Sequence, residues 1–219
     1  MSINFTVKDS SCISNNILNN IYKKNNNIQI KIWDNKSFEE YIKEKDTTCY
    51  NCFLKLNKKF GAMIRDYIRY CILYFEGGVY LDSKSAIKSI DMDSFINTKH
   101  YGLHLWRWTQ KSFDEYLNWF IICEKGNKIM KKVIDTINYN IINYKKEVWD
   151  IRCSKQNVLR FTGPRLFTTI IDNNKHLDKI LIYNNKNTKD NLCYNALGVE
   201  YKKYYEAPHY SSIKEHLIL

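Results

Sequence analysis

The chain has 219 residues, 44% hydrophobic and 15% aromatic, with only 7 glycines and 2 prolines, which excludes intrinsic disorder and collagen-like or low-complexity architectures. A chain of this length buries about 70% of its unfolded surface around one core without disulfide or metal support, so a single domain over residues 1–219 is expected. The balance is basic, 34 Lys and Arg against 23 Asp and Glu, net +11. However, the lysines are dispersed as doublets (Lys23-Lys24, Lys58-Lys59, Lys131-Lys132, Lys145-Lys146, Lys202-Lys203), the pattern of a solvated surface and not of a nucleic-acid-binding block.

In chain order, the opening MSINFTVKDSSC has no apolar core long enough for a signal peptide. The longest apolar runs, Cys71–Phe75 and Trp119–Cys123, fall far short of the roughly 20 residues that span a bilayer. No transmembrane segment and a cytoplasmic location are therefore expected. Asn25-Asn26-Asn27 reads as a loop, because Asn tolerates turn geometry. Ile28–Trp33 alternates as a strand does, and Ser37–Lys45 follows as a helix. Of the seven cysteines, only Cys49 and Cys52 have paired spacing. Zinc needs four ligands and no second pair exists, so reduced, buried thiols are expected.

Ala62–Glu76 is the clearest helix. Ile64, Tyr67, Ile68, Cys71, Ile72 and Phe75 recur at helical spacing as one buried stripe, and Gly77-Gly78 ends it. Val79–Asp82, Lys99–Trp106, Leu117–Cys123 and Lys179–Tyr183 read as strands, and Asn127–Lys145 and Gly163–Ile171 as helices. Strands alternating with helices give an α/β class with a mainly parallel central sheet flanked by helices.

The chemistry concentrates in Arg65–Lys84. Asp66 and Arg69 lie three apart on the helix, off the apolar stripe. Gly77-Gly78 turns the chain sharply and permits close backbone approach. The next strand delivers Asp82 at its carboxyl end, the edge where open α/β sheets bind ligands. A carboxylate there suits a divalent cation or a ribose hydroxyl, both useful to a nucleotide diphosphate. Taken singly, Asp66 and Arg69 also read as a surface ion pair and the glycines as a helix cap.

This segment resembles glycosyltransferase family 32, whose core reads D-x-x-R-y-x-x-L-y-x-x-G-G-x-Y-x-D-x-D. Asp66, Arg69, Leu73, Tyr74, Gly77, Gly78, Tyr80 and Asp82 fall on it. Asn118-Trp119-Phe120-Ile121 with Gly126-Asn127-Lys128, then Thr162-Gly163-Pro164, match flanking elements, and His209-Tyr210-Ser211-Ser212 is similar to a C-terminal His-containing segment. The resemblance implies a GT-A type fold, a UDP- or GDP-linked sugar donor, and retaining transfer of a hexose to a glycan or protein hydroxyl. It implies donor contacts from Asp66, Arg69, Gly77, Gly78, Tyr80 and Asp82, catalysis by Asp82 and Arg69, and Mn²⁺ or Mg²⁺ on Asp82; on their own chemistry, Lys84 is added to the catalytic set and His209 to the metal ligands.

Two departures stand out. Lys84 replaces the second motif carboxylate, and its ammonium is expected to stand in for the cation by neutralising charge on the departing diphosphate. The family's N-terminal strand is not recognisable in Met1–Lys24. Trp106, Arg107 and Trp108 suit a sugar-stacking platform with Tyr101 or, equally, core cover. Asp82→Ala and Arg69→Ala are each expected to abolish turnover with the fold intact. An inactive sugar-nucleotide- or glycan-binding relative is the alternative, and a basic nucleic-acid binder a weaker one.

Overall fold

A six-stranded sheet organises the computed structural model, which describes residues 2–7, 29–88, 102–110, 113–199 and 209–219. Its strands are β1 (Ser2–Thr6), β2 (Gln29–Trp33), β3 (Gly78–Leu81), β5 (Leu103–Gln110), β6 (Phe113–Cys123) and β7 (Ile180–Tyr183), in the spatial order β2-β1-β3-β6-β5-β7. β1 is parallel to β2 and β3, and β5 to β7, while β6 runs antiparallel to both β3 and β5. The sheet is therefore mainly parallel, with one reversed strand at its centre. A separate ribbon pairs β4 (Ala86–Ile87) with β8 (Leu192–Cys193).

Both faces of the sheet are covered, as the expected class requires. Tyr80, Leu103, Leu105 and Ile121 face the larger core, which includes the apolar stripe of α3 (Gly61–Phe75) and residues of α1 (Asn35–Lys45), α2 (Thr47–Lys55), α4 (Lys128–Ile142), α5 (Ser154–Phe161) and α6 (Pro164–Asn174). Ile3, Phe5, Val79, Leu81, Trp106 and Phe120 face a smaller core closed in part by Leu192 of β8. The helix ends follow local chemistry. Asp34 and Ser37 form a capping box at α1, Asn127 caps α4 through Met130 N–H, and Pro164 opens α6. These caps start α1 two residues ahead of the expected Ser37.

Several expectations are corrected. The opening segment does hold a strand: β1 lies between β2 and β3. Its polar residues Asn4 and Thr6 are buried too. Asn4 Nδ2 donates to the carbonyls of Gly77 and Val79, and its Oδ1 accepts from Trp33 Nε1. α2, α5, the ribbon and α7 (Asn185–Asn191) were not apparent in the sequence. The expected strand Lys99–Trp106 runs instead from Leu103 to Gln110, and Lys99–Tyr101 fall outside the described residues. Trp106 and Trp108 therefore lie within β5. Trp106 is fully buried, stacked on Tyr183 at 4.3 Å, so the core reading holds for it. Cys49 and Cys52 are buried free thiols, as expected.

Candidate functional site

The site grows from the carboxyl end of β3. Asp82 follows Leu81 directly, its N–H still bonded to the Trp119 carbonyl at 2.9 Å, so the edge of β6 fixes its backbone. α3 leads into β3 through Gly77 and Gly78, both at positive φ (69° and 94°). A Cβ on Gly78 would stand 2.6 Å from the Ser2 carbonyl oxygen, and one on Gly77 2.7 Å from Lys125 N. Both glycines thus serve the turn, Gly78 also the approach of β1 and Gly77 that of the chain at Cys123–Lys125. They sit at the amino end of β3, a strand's length from Asp82, and the structure does not bring them together with it.

Asp66, Arg69 and Asp82 do come together. The Arg69 guanidinium bridges both carboxylates, with Nη2 3.2 Å from Asp66 Oδ1 and 3.2 Å from Asp82 Oδ1. Its Nη1 donates to the Asn118 carbonyl, and its plane lies 4.5 Å over the Tyr80 ring. Arg69 and Asp66 are only 5% and 6% exposed, so this is a buried ion pair and not a surface one. Arg69 Nε is buried without a hydrogen-bond partner among the described residues.

Asp66 has little left to offer a ligand. Oδ1 accepts from Asn118 Nδ2 at 3.0 Å and Oδ2 from Thr162 Oγ1 at 3.0 Å. Burial pushes its carboxyl up to about 7. Arg69 and these hydrogen bonds oppose the rise, while the Asp82 charge adds to it. The same burial works against the Arg69 charge, but Tyr80, Asp82 and Asp66 hold its pKa above the ordinary value. Tyr80 is wholly buried. Its hydroxyl donates to Asp82 Oδ1 at 2.9 Å and meets Thr6 Oγ1 at 2.7 Å, so it braces Asp82 from β1.

Lys84 lies on the turn after Asp82, half-buried, with Nζ 4.8 Å from the centroid of the Tyr194 ring. Tyr194 in turn packs against Trp119, ring centroids 5.2 Å apart. Tyr210, from the C-terminal segment, feels the charge of Asp66, which together with burial raises its pKa. His209 beside it is exposed, and its Nδ1 is engaged by the Ser211 backbone N–H and hydroxyl. Asn118, Thr162 and Tyr210 were visible only as members of flanking motifs. Thr6 and Tyr194 carried no signal, because each reaches the site through long-range pairing.

The donor set does not suit a divalent cation. Asp82 Oδ1 is taken by Arg69 and Tyr80, Lys84 brings a positive charge where a second carboxylate would stand, and His209 is committed locally. Among the described residues no group of three or more His, Cys, Asp or Glu is placed to hold a metal ion. Of the expected cation ligands, Asp82 keeps Oδ2 open and His209 bonds Ser211 through Nδ1.

Acid and base groups thus stand at the carboxyl edge of a mainly parallel sheet flanked by helices, an α/β fold of GT-A type. Comparison with known proteins agrees. The fold matches the solved PaToxG glycosyltransferase with a TM-score of 0.52 at 14% identity, over 94% of this chain and 78% of that one. A second similar structure is the ligand-free glycosyltransferase domain from the YGT toxin (TM-score 0.41, 12% identity, 70% of this chain and 52% of that one). Residues 13–100 match the family model described as the glycosyltransferase sugar-binding region containing DXD motif. "Subversion of eukaryotic traffic protein A" of Legionella pneumophila is 34% identical over 81 residues, 37% of this chain. The match spans only 12% of that relative's length. No helix among the described residues is long and apolar enough to cross a membrane.

Proposed function

We propose that residues 1–219 act as one glycosyltransferase domain in the cytoplasm, moving a hexose from a UDP- or GDP-linked donor to a glycan or protein hydroxyl with retention of configuration. One observation carries the reading: Arg69 and Lys84 bring two positive charges to the Asp82 end of β3, with Arg69 held against Asp82 and Lys84 two residues beyond it. A donor diphosphate is a dianion that gains charge as it leaves, and fixed cations in a partly buried site stabilise that change without reorganising.

In this reading Lys84 donates to the leaving diphosphate, and Asp82 accepts from a ribose hydroxyl through the oxygen that Arg69 and Tyr80 leave open. Asp66 acts by holding Arg69, and Tyr80 by holding Asp82. The acceptor oxygen attacks the anomeric carbon on the face the diphosphate leaves, and a leaving phosphate oxygen takes the acceptor proton. No side-chain base is demanded, so catalysis rests on positioning and electrostatics. The position of Lys84, where a second carboxylate would stand, supports its ammonium in place of a cation.

The test is donor hydrolysis, after a thermal-shift screen of nucleotide sugars has named the donor. Turnover that survives EDTA and is lost in Asp82→Ala is the expected result. An absolute Mn²⁺ requirement overturns the role given to Lys84. The missing second carboxylate favours one competing reading, an inactive sugar-nucleotide-binding relative. Donor binding by calorimetry without hydrolysis or transfer would select that reading.

A further inference from the structure

Lys84 has no carboxylate partner among the described residues; the contact of its ammonium is with the face of Tyr194. A lysine on a turn has a long flexible stem and a strongly hydrated head, so without a partner it samples solvent. Tyr194 is itself held over this turn by several bonds. The β4–β8 ribbon pairs Ala86 with Cys193 and Ile87 with Leu192. Beyond it, Leu197 N–H donates to the Lys84 carbonyl at 2.9 Å, and Asn195 N–H to Ser85 Oγ at 3.4 Å. Asn195 takes a left-handed conformation (φ 57°), which Asn tolerates better than most residues. The chain from Leu192 to Leu197 is thus a strap across the residues that follow Asp82. It lays the Tyr194 ring between Trp119 and the lysine, yet leaves Tyr194 53% exposed. The ring face attracts the ammonium without offering a lone-pair acceptor, so N–H donors turned away from the ring stay available to an anion arriving from solvent.

We infer that Tyr194 is the positioning residue for Lys84: its ring holds the ammonium beside Asp82 so that the lysine meets the diphosphate of the donor. The inference rests on the proposed donor class and adds to it a residue that the sequence motifs do not touch. It predicts that the ring's contribution falls on diphosphates alone.

The test is calorimetric titration of UDP, GDP, UMP and GMP, in EDTA, into the wild-type chain and the Tyr194→Ala, Tyr194→Phe and Lys84→Ala variants, with unfolding midpoints recorded for each. The wild type should bind a diphosphate more tightly than its monophosphate, and Lys84→Ala should erase that preference. Tyr194→Ala should weaken the diphosphate about 2–10-fold while leaving the monophosphate unchanged. Tyr194→Phe keeps the ring and should behave as wild type. Adding Tyr194→Ala to Lys84→Ala should cost nothing further, the signature of a residue acting through another. Unchanged diphosphate affinity in Tyr194→Ala, or equal losses for mono- and diphosphate, overturns the inference while the donor class stands. A wild-type chain that binds none of the four nucleotides overturns the donor class, and the inference with it.

Discussion

Arg69 reaches Asp82 from the α3 wall, while Lys84 follows Asp82 on the turn beneath the strap. Arg69 is buried, shares its guanidinium between two carboxylates and a carbonyl, and lies on the Tyr80 ring. Lys84 is half-buried and touches the ring of an exposed tyrosine. The first arrangement is locked by charge: removing any member strands another in low dielectric. The second is held by a π face that exchanges readily with solvent and ligand. In the proposed site, one wall therefore ties its role to the fold, and the other has a role separable from the fold.

Variants can break that contrast. Arg69→Ala should have the largest effect. It leaves Asp66 facing Asp82 without a counter-charge, so it should abolish turnover and also cost about 3–5 kcal/mol of stability by chemical denaturation. This revises the sequence-based expectation of an intact fold, because burial makes Arg69 structural. A stable Arg69→Ala protein would make the two walls alike. Lys84→Ala should cost about 10–100-fold in diphosphate affinity, the loss of a charge-assisted hydrogen bond, with denaturant stability within about 0.5 kcal/mol of wild type.

Asp66 sharpens the comparison through pH. Its folded-state pKa, about 7, lies above the ordinary carboxylate value, so the stability it contributes is present in acid and is lost as pH rises through about 7. Wild type should weaken across that window by an amount on the order of a few kcal/mol, and Asp66→Asn should flatten the slope in the pH dependence of the unfolding midpoint. His209→Ala is the smallest case. An exposed ring bonded only to its own turn should change stability by less than about 0.5 kcal/mol and leave EDTA-resistant turnover intact.

The locked wall was largely legible in the sequence. Helix α3 shows itself by periodicity, and Asp66, Arg69 and Asp82 stand on it or on the next strand at motif spacing. The strap was not. Tyr194 lies 110 residues from Lys84 in sequence, and the pairing of two two-residue strands with two further strap bonds brings them together. β1 escaped notice for a different reason. Asn4 and Thr6 look like a solvent face, yet both are buried, spent on carbonyls and on the Tyr80 hydroxyl. Trp106 stood open between two readings, since an aromatic suited to a sugar is equally suited to a core, and its burial decides for the core.

The interior position of β1 also bears on how the chain assembles. β5 and β6 pair as near neighbours, with Gln110 opposite Phe113, and such a hairpin zips within microseconds. β1 instead meets β3 through contacts 73–75 residues apart, and closing that span carries an entropic cost that grows with its length. Ile3 and Phe5 must wait for β3 before the Gly78 notch can seat them. Until then β2 has no neighbour joining it to the rest of the sheet. Pulse-labelled hydrogen exchange should find the β1 amides protected after those of the β5–β6 hairpin, as a seam that closes last.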